Sequence, residues 1–224
     1  RAVMINIDII KKRHSVRSYL DKPLEGEAIR KLQQAIEECN QESGLHIQLV
    51  SNEPKAFDGF MAHYGKFKGV NNYIALIGPR GKDLEETCGY YGEKLVLTAE
   101  ELGLNTCWVY MTYRKIKDAF VVGDNEKLVC VIALGYGAVP GKPHSSKTLE
   151  DVVLVNGDMP AWFVNGVQMA LLAPTAMNQQ KFEFILDGDT VLATAGFGVC
   201  TKIDLGIVKY HFELGAGKEN FRWK

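Results

Sequence analysis

A helix–turn–strand unit occurs twice in this sequence, and that repeat constrains the fold more than any other feature. A shift of 135 residues lays Ile29 on Val164, Leu32 on Val167, Gln33 on Gln168 and Ala35 on Ala170. Without a gap, the same shift lays Ile47 on Phe182, Leu49 on Phe184 and Val50 on Ile185. Apolar positions match in any two amphipathic helices, but here the register holds through the turn into the strand. Further on, Glu101-Leu102-Gly103 matches Glu213-Leu214-Gly215 at a shift of 112. The second copy is therefore expected to be 23 residues shorter, without a counterpart of the run Asn72–Ile77.

The length of 224 residues lies between one typical domain and two. Lys and Arg number 26 against 27 Asp and Glu, a formal charge of −1. That balance excludes the basic excess of a phosphate-tracking nucleic-acid binder and of a polybasic membrane-surface protein. The five cysteines (Cys39, Cys88, Cys107, Cys130, Cys200) are scattered, with no CxxC pair. This reads as reduced thiols in a cytoplasmic protein, not as a disulfide frame or zinc site. No apolar run approaches ~18 residues, the length of a membrane span. Charges interrupt Ile9-Ile10-Lys11-Lys12-Arg13, unlike a secretory leader. The chain begins at Arg1, so upstream residues are expected to have been trimmed or replaced.

Periodicity predicts helices over Glu25–Glu42, Glu85–Leu102 (stopped by Gly103), Ala161–Ala173 and Ile203–Leu214. Ala161–Ala173 is apolar nearly all round, which predicts a central helix buried on most faces and stopped by Pro174. Strands are expected over His46–Val50, Asn72–Ile77, Thr106–Met111, Leu128–Gly135, Phe182–Leu186 and Val191–Thr194. Helices and strands mix without strict βαβ alternation, so the fold class is α+β.

Two segments carry candidate chemistry. Arg13-His14-Ser15-Val16-Arg17 sets two guanidinium forks around a hydroxyl, which suits an anion. The same residues also suit a solvated basic stretch. Ala173-Pro174-Thr175-Ala176-Met177-Asn178-Gln179-Gln180 brings uncharged donors and acceptors to the end of the most apolar helix. A buried planar heterocycle needs such groups along its edge, and an Asn-rich turn alone would also explain them. Gly135-Tyr136-Gly137 lacks the third glycine of a dinucleotide fingerprint, and the five histidines show no ligand spacing.

Together these segments resemble the FMN-dependent nitroreductase family. Arg13 to Tyr19 is similar to its R-x-S-x-R-x-[FY] segment, which holds the flavin phosphate and ribityl chain. Ala173 to Gln180 resembles its A-P-S-x-x-N-x-Q motif, and Gly103-Leu104-Asn105-Thr106-Cys107-Trp108 its G-L-G-T-C-W segment. The resemblance implies a nitroreductase-like fold and an FMN site. Arg13, His14, Ser15 and Arg17 would lie at the phosphate and ribityl chain, and Pro174, Thr175 and Asn178 along the ring. Tyr110 and Met111 would face the reactive nitrogen, Lys66 the pyrimidine side, and Lys147 the phosphate. No side chain would act as acid or base, because the chemistry belongs to FMN.

Family members are homodimers in which each flavin takes the first motif from one subunit and the second from the other. Here each motif survives once. The 135-residue shift lays Pro174 on Cys39, Thr175 on Asn40 and Asn178 on Ser43, so the first copy lacks the second motif. It lays Arg13 on Thr148, Ser15 on Glu150 and Arg17 on Val152, so the second copy lacks the first. The resemblance thus implies one intertwined domain over 1–224, built from a pseudo-repeat of about 1–147 and a shortened one of about 148–224. Such a fused pseudo-dimer, as in the single-chain TM nitroreductase group, would be a monomer with one FMN. It would take hydride from NAD(P)H and reduce a nitroaromatic, quinone or related small-molecule acceptor, with no nucleic-acid or membrane partner. A flavin-binding or flavin-storing protein with a blocked ring face would carry the same motifs.

Overall fold

The helix expected over Glu25–Glu42 runs Gly26–Ser43 (α2) in the computed structural model, which describes residues 5–224. The first four residues of the expected first repeat lie outside the described residues. α2 buries Leu32, Ile36 and Cys39 on one face. It ends where Gly44 takes φ 74° and donates its N–H to the Asn40 carbonyl, a left-handed cap that glycine adopts without steric cost. The Asn40 side chain then grips Ile47 at both backbone groups, at 2.8 and 3.0 Å. That grip turns the chain into β1 (Gln48–Val50).

Two compact units divide the chain, and each is made of separate stretches. The first unit comprises Arg13–Leu84 and Leu95–Pro143. Its sheet has the order β1-β2-β4-β3, with β2 over Asn72–Pro79, β3 over Asn105–Val109 and β4 over Glu126–Gly135. Every pairing is antiparallel. β2 is buried from Asn72 through Gly78, as its unbroken apolar run requires. Tyr19, Phe57, Phe67, Tyr73, Val131 and Ala133 belong to the core on this sheet. A short helix, α3 (Phe60–Tyr64), lies in the segment between β1 and β2. β3 stops at Val109, so Tyr110 and Met111 fall outside the expected strand and are exposed.

The second unit comprises the chain up to Lys12, Glu85–Lys94 and His144–Lys224. It begins with a short helix, α1 (Ile7–Lys12). Its sheet has the order β5-β6-β7-β8: Val153–Val155, Phe182–Asp187, Thr190–Ala195 and Arg222–Trp223. Periodicity had not shown the first and last, which span three residues and two. The helices are α5 (Ala161–Ala170) and α6 (Thr201–Ala216), with part of α4 (Leu84–Glu101), whose remainder belongs to the first unit.

Two expectations need correction. α5 ends at Ala170, ahead of Pro174, and only five of its ten residues are buried. The more enclosed helix is α6, with twelve of sixteen residues buried. Its charged residues hid this, because most of them are paired. His211 bonds Glu93, Glu213 accepts from Tyr90 and Trp223, and Lys209 meets Glu86. Glycines then allow helix backbones to touch. A Cβ on Gly206 would lie 1.9 Å from the Glu86 carbonyl oxygen, and one on Gly215 2.3 Å from that of Asn165.

The second copy does have a strand in the place of Asn72–Ile77. β6 is followed by an antiparallel partner, β7, as β1 is followed by β2. Most of the lost length lies in the connection, which is Gly188–Asp189 in one case and 51–71 in the other. The shift of 135 residues reappears in the helix starts, Gly26 and Ala161.

Candidate functional site

Residues 13–20 form a strap fixed along its length within the first unit. Val16 donates its N–H to Thr106 in β3, Lys68 donates to Arg17, Tyr19 donates to Lys68, and Ala138 donates to Ser18. Val16 and Tyr19 are buried, and the Tyr19 hydroxyl donates to the Val16 carbonyl at 2.6 Å. Arg17 consequently points outward, whereas Arg13 is buried to 4% exposure. Cys107 lies beneath the strap. Burial pushes its thiol up, while the positive field of Arg17, a hydrogen bond from Ser15 and the charge of Arg13 work against that rise. Arg17, Ser15 and Arg13 thus all act on the same thiol, and two guanidinium groups with a hydroxyl between them in the chain make a cationic donor set. Gly141 closes the other side: at φ 75°, an added Cβ would lie 2.9 Å from His14 Cβ and the Ser15 carbonyl oxygen.

Lys66 stands two residues before the Lys68 rung of this ladder, itself in a left-handed conformation at φ 63°. It lines a cleft of about 570 Å³ with Phe57, Asp58, His63, Phe67 and Lys68. A larger cleft, about 910 Å³, is bounded by Arg80, Lys115, Phe120 and Leu128 and contains none of the expected site residues. Cavity size alone therefore does not select a site in this unit.

The second candidate segment is a turn of the second unit, held from several sides. Met177, Asn178 and Gln180 all have φ near +50°. A left-handed conformation costs roughly 1–2 kcal/mol for a residue with a Cβ, less for Asn. Hydrogen bonds hold the backbone there. Gln180 donates its N–H to Thr175 Oγ1 at 3.0 Å, and its side-chain oxygen accepts from Lys147 N–H at 2.9 Å. The Lys147 ammonium donates to the Gln180 carbonyl at 3.0 Å. Asn178 and Gln180 both donate to the Ser145 carbonyl, and Asn178 Oδ1 accepts from Gln180 Nε2.

Beneath the turn lies Asp204 of α6, 3% exposed. It accepts the Ala176 N–H at 3.0 Å on one oxygen and Gln179 Nε2 at 2.8 Å on the other. Burial pushes its carboxyl up to about 6, and these two hydrogen bonds oppose the rise.

The expected site residues thus fall into two groups. Arg13, His14, Ser15, Arg17, Lys66, Tyr110 and Met111 belong to the first unit, and Lys147, Pro174, Thr175 and Asn178 to the second. Sequence reasoning missed Asp204 and Ser145 as parts of the site, and the Gln180 side chain, which its second segment included, is buried. The available signal was an acid between Ile203 and Leu205 in an apolar helix. Among the described residues, no group of three His, Cys, Asp or Glu could hold a metal, and no helix is long and apolar enough to cross a membrane.

A family described as "Putative TM nitroreductase" matches residues 6–216. The chain belongs to this nitroreductase family. A solved "putative nitroreductase (tm1586)" from Thermotoga maritima is similar at 20% identity and a TM-score of 0.63, covering 96% of this chain and 85% of its own. A "putative nitroreductase in complex with fmn" from Desulfovibrio desulfuricans is similar at 17% identity and a TM-score of 0.52, covering 69% and 97%. A "Putative NADH dehydrogenase/NAD(P)H nitroreductase" from Bacteroides thetaiotaomicron is similar at 22% and 0.51, covering 65% and 94%. No curated protein matches. The fold is nitroreductase-like α+β, and single nitroreductase chains match about two thirds of this one, in keeping with two halves.

Proposed function

We propose that this nitroreductase-family chain is an FMN-dependent NAD(P)H oxidoreductase that binds one flavin and reduces nitroaromatic, quinone or related acceptors. The observation that carries this reading is the strap at Arg13–Arg17. Two guanidinium groups and a hydroxyl, fixed by backbone bonds to β3 and to the 68 and 138 positions, suit a phosphate and a polyol chain. The donor chemistry of the second segment fits the other end of the same molecule. Thr175 and Asn178, with Pro174 behind them, offer uncharged polar groups on a rigid turn, as the edge of a flavin ring requires. Lys147 buttresses that turn through Gln180, and Lys66, Tyr110 and Met111 complete the set.

Bound FMN supplies two-electron redox chemistry; the residues bind it, orient it and shield it. His14, beside Gly141, closes the strap. Because each motif is present once, the flavin is assigned to residues of both repeats, and the chain acts as a monomer. Purified protein should be yellow and should bleach on addition of NADPH. Arg13→Ala and Asn178→Ala should each weaken FMN binding, by roughly tenfold or more for loss of a charge-assisted or edge contact. A colourless protein that takes up no added FMN would sink the proposal; an effect of only one substitution would sink the two-repeat site.

One observation favours a second reading. Phe60 and Tyr64 of α3, in the segment that leads to Lys66, are 81% and 75% exposed, bulky enough to cover a ring bound beside that segment. Bound FMN that NADPH cannot reduce would establish a flavin-storing protein instead.

A further inference from the structure

We propose that Asp204 is a positioning residue for flavin binding: from within α6 it fixes the Pro174–Gln180 turn in the conformation that meets the ring. The inference rests on the flavin reading above and adds a residue that neither segment contains. Its two oxygens divide between the two ends of the turn, Oδ1 on the Ala176 N–H and Oδ2 on the Gln179 amide. Gln179 is held on its other side by the Val199 carbonyl at 2.8 Å. Between and beside these anchors, Met177, Asn178 and Gln180 keep left-handed conformations that residues with a Cβ avoid. A free turn of this composition would relax to more extended backbone.

A buried carboxylate is a costly way to hold a turn. Asp204 sits between Ile203 and Leu205, faces no cation at ion-pair distance among the described residues, and acts on the nearby Cys200 thiol. Burial raises its carboxyl above the ordinary range. The fold bears that cost at the one position from which both Ala176 and Gln179 are anchored, which points to work done at the turn.

Three measurements on full-length apoprotein test this: the FMN dissociation constant by flavin fluorescence quenching, hydrogen exchange at the Ala176 amide, and the thermal midpoint. Asp204→Asn cannot satisfy both Ala176 and Gln179 without turning Gln179 away from Val199. It should weaken FMN binding roughly tenfold. Asp204→Ala, which frees both anchors, should weaken it further and speed exchange at Ala176. The thermal midpoint of the Asn variant should stay level or rise, because a buried charge is removed. Gln179→Leu keeps the acid and loses one anchor, and should weaken binding by a few-fold; it serves if the Ala variant does not fold. FMN affinity within twofold of the parent in the Asn and Ala variants would overturn the inference. So would a parallel fall of affinity and midpoint in the Asn variant, the mark of a merely structural residue. A parent that binds no FMN would bring down the flavin reading itself. A parent that binds while the variants bind equally well would bring down this inference alone.

Discussion

Asp204 shows how one residue can burden the fold while serving a site. Its carboxyl moves from an ordinary 3.8 up to about 6, chiefly through burial. A folded-state value above the unfolded one means that the native state holds this proton more tightly. The stabilisation is full below the unfolded value and is lost as pH rises through about 6. Ionised at pH 7, Asp204 therefore costs the fold about 3 kcal/mol by that shift. Asp204→Asn is expected to raise the denaturation midpoint at pH 7 and to flatten the stability profile between pH 4 and 6. Urea titrations across that range would check it. Gly141 makes the opposite kind of demand. At φ 75° and 2.9 Å from the strap it tolerates no Cβ. Gly141→Ala should cost about 1–3 kcal/mol of stability and should loosen Val16 and Ala138 amide protection in exchange measurements. Neither role was legible in the sequence. A lone acid in a helix and a glycine in a loop acquire meaning only through partners far along the chain.

At the scale of elements, what periodicity could show, it did. α2, β2, α4 and β4 carry their burial pattern on their face, because one side of each meets water or none does. α6 was expected as a helix, but its deep burial escaped because its polar residues are satisfied inside the unit. His211 Nδ1 must donate to the Met169 carbonyl at 2.9 Å, while Nε2 meets Glu93 at 2.7 Å. Both side chains are fully buried. Removing one partner of such a pair strands the other, so Glu93→Ala should lower stability by about 3–5 kcal/mol in chemical denaturation. Helix contact here also depends on absent side chains. Gly89 and Gly206 face each other where α4 and α6 touch, with an added Cβ at 2.0 Å from the Ile203 carbonyl or 1.9 Å from that of Glu86. Because backbone cannot move aside as a side chain can, Gly206→Ala should destabilise by about 3 kcal/mol or more, and circular dichroism melts would register it. The β5 and β8 strands were invisible for a simpler reason: three residues and two give no period to read.

At the scale of the whole molecule, the repeat and the family resemblance in the motifs made the fold class legible, and membership of the nitroreductase family bears that out. The supports of the candidate site were less legible, since Ser145 and Asp204 are joined to it only by folding. If the chain is a fused pseudo-dimer, light scattering at low concentration should give the mass of one chain with flavin still bound. Loss of flavin on dissociation of a larger species would contradict it. The way the chain is divided has a further consequence, for its synthesis. The second unit takes the chain up to Lys12, then Glu85–Lys94, then everything from His144. No single cut releases it, and the early pieces are made long before the last. At a translation rate of ~5–20 residues per second, roughly 4–16 s separate emergence of the two ends of the stretch from His144 to Lys224. Throughout that interval Gly89 and its neighbours Glu86, Tyr90 and Glu93 on α4 wait for α6, so the nascent chain carries a helix face whose charged and polar groups gain their partners Lys209, Glu213 and His211 only when α6 is made.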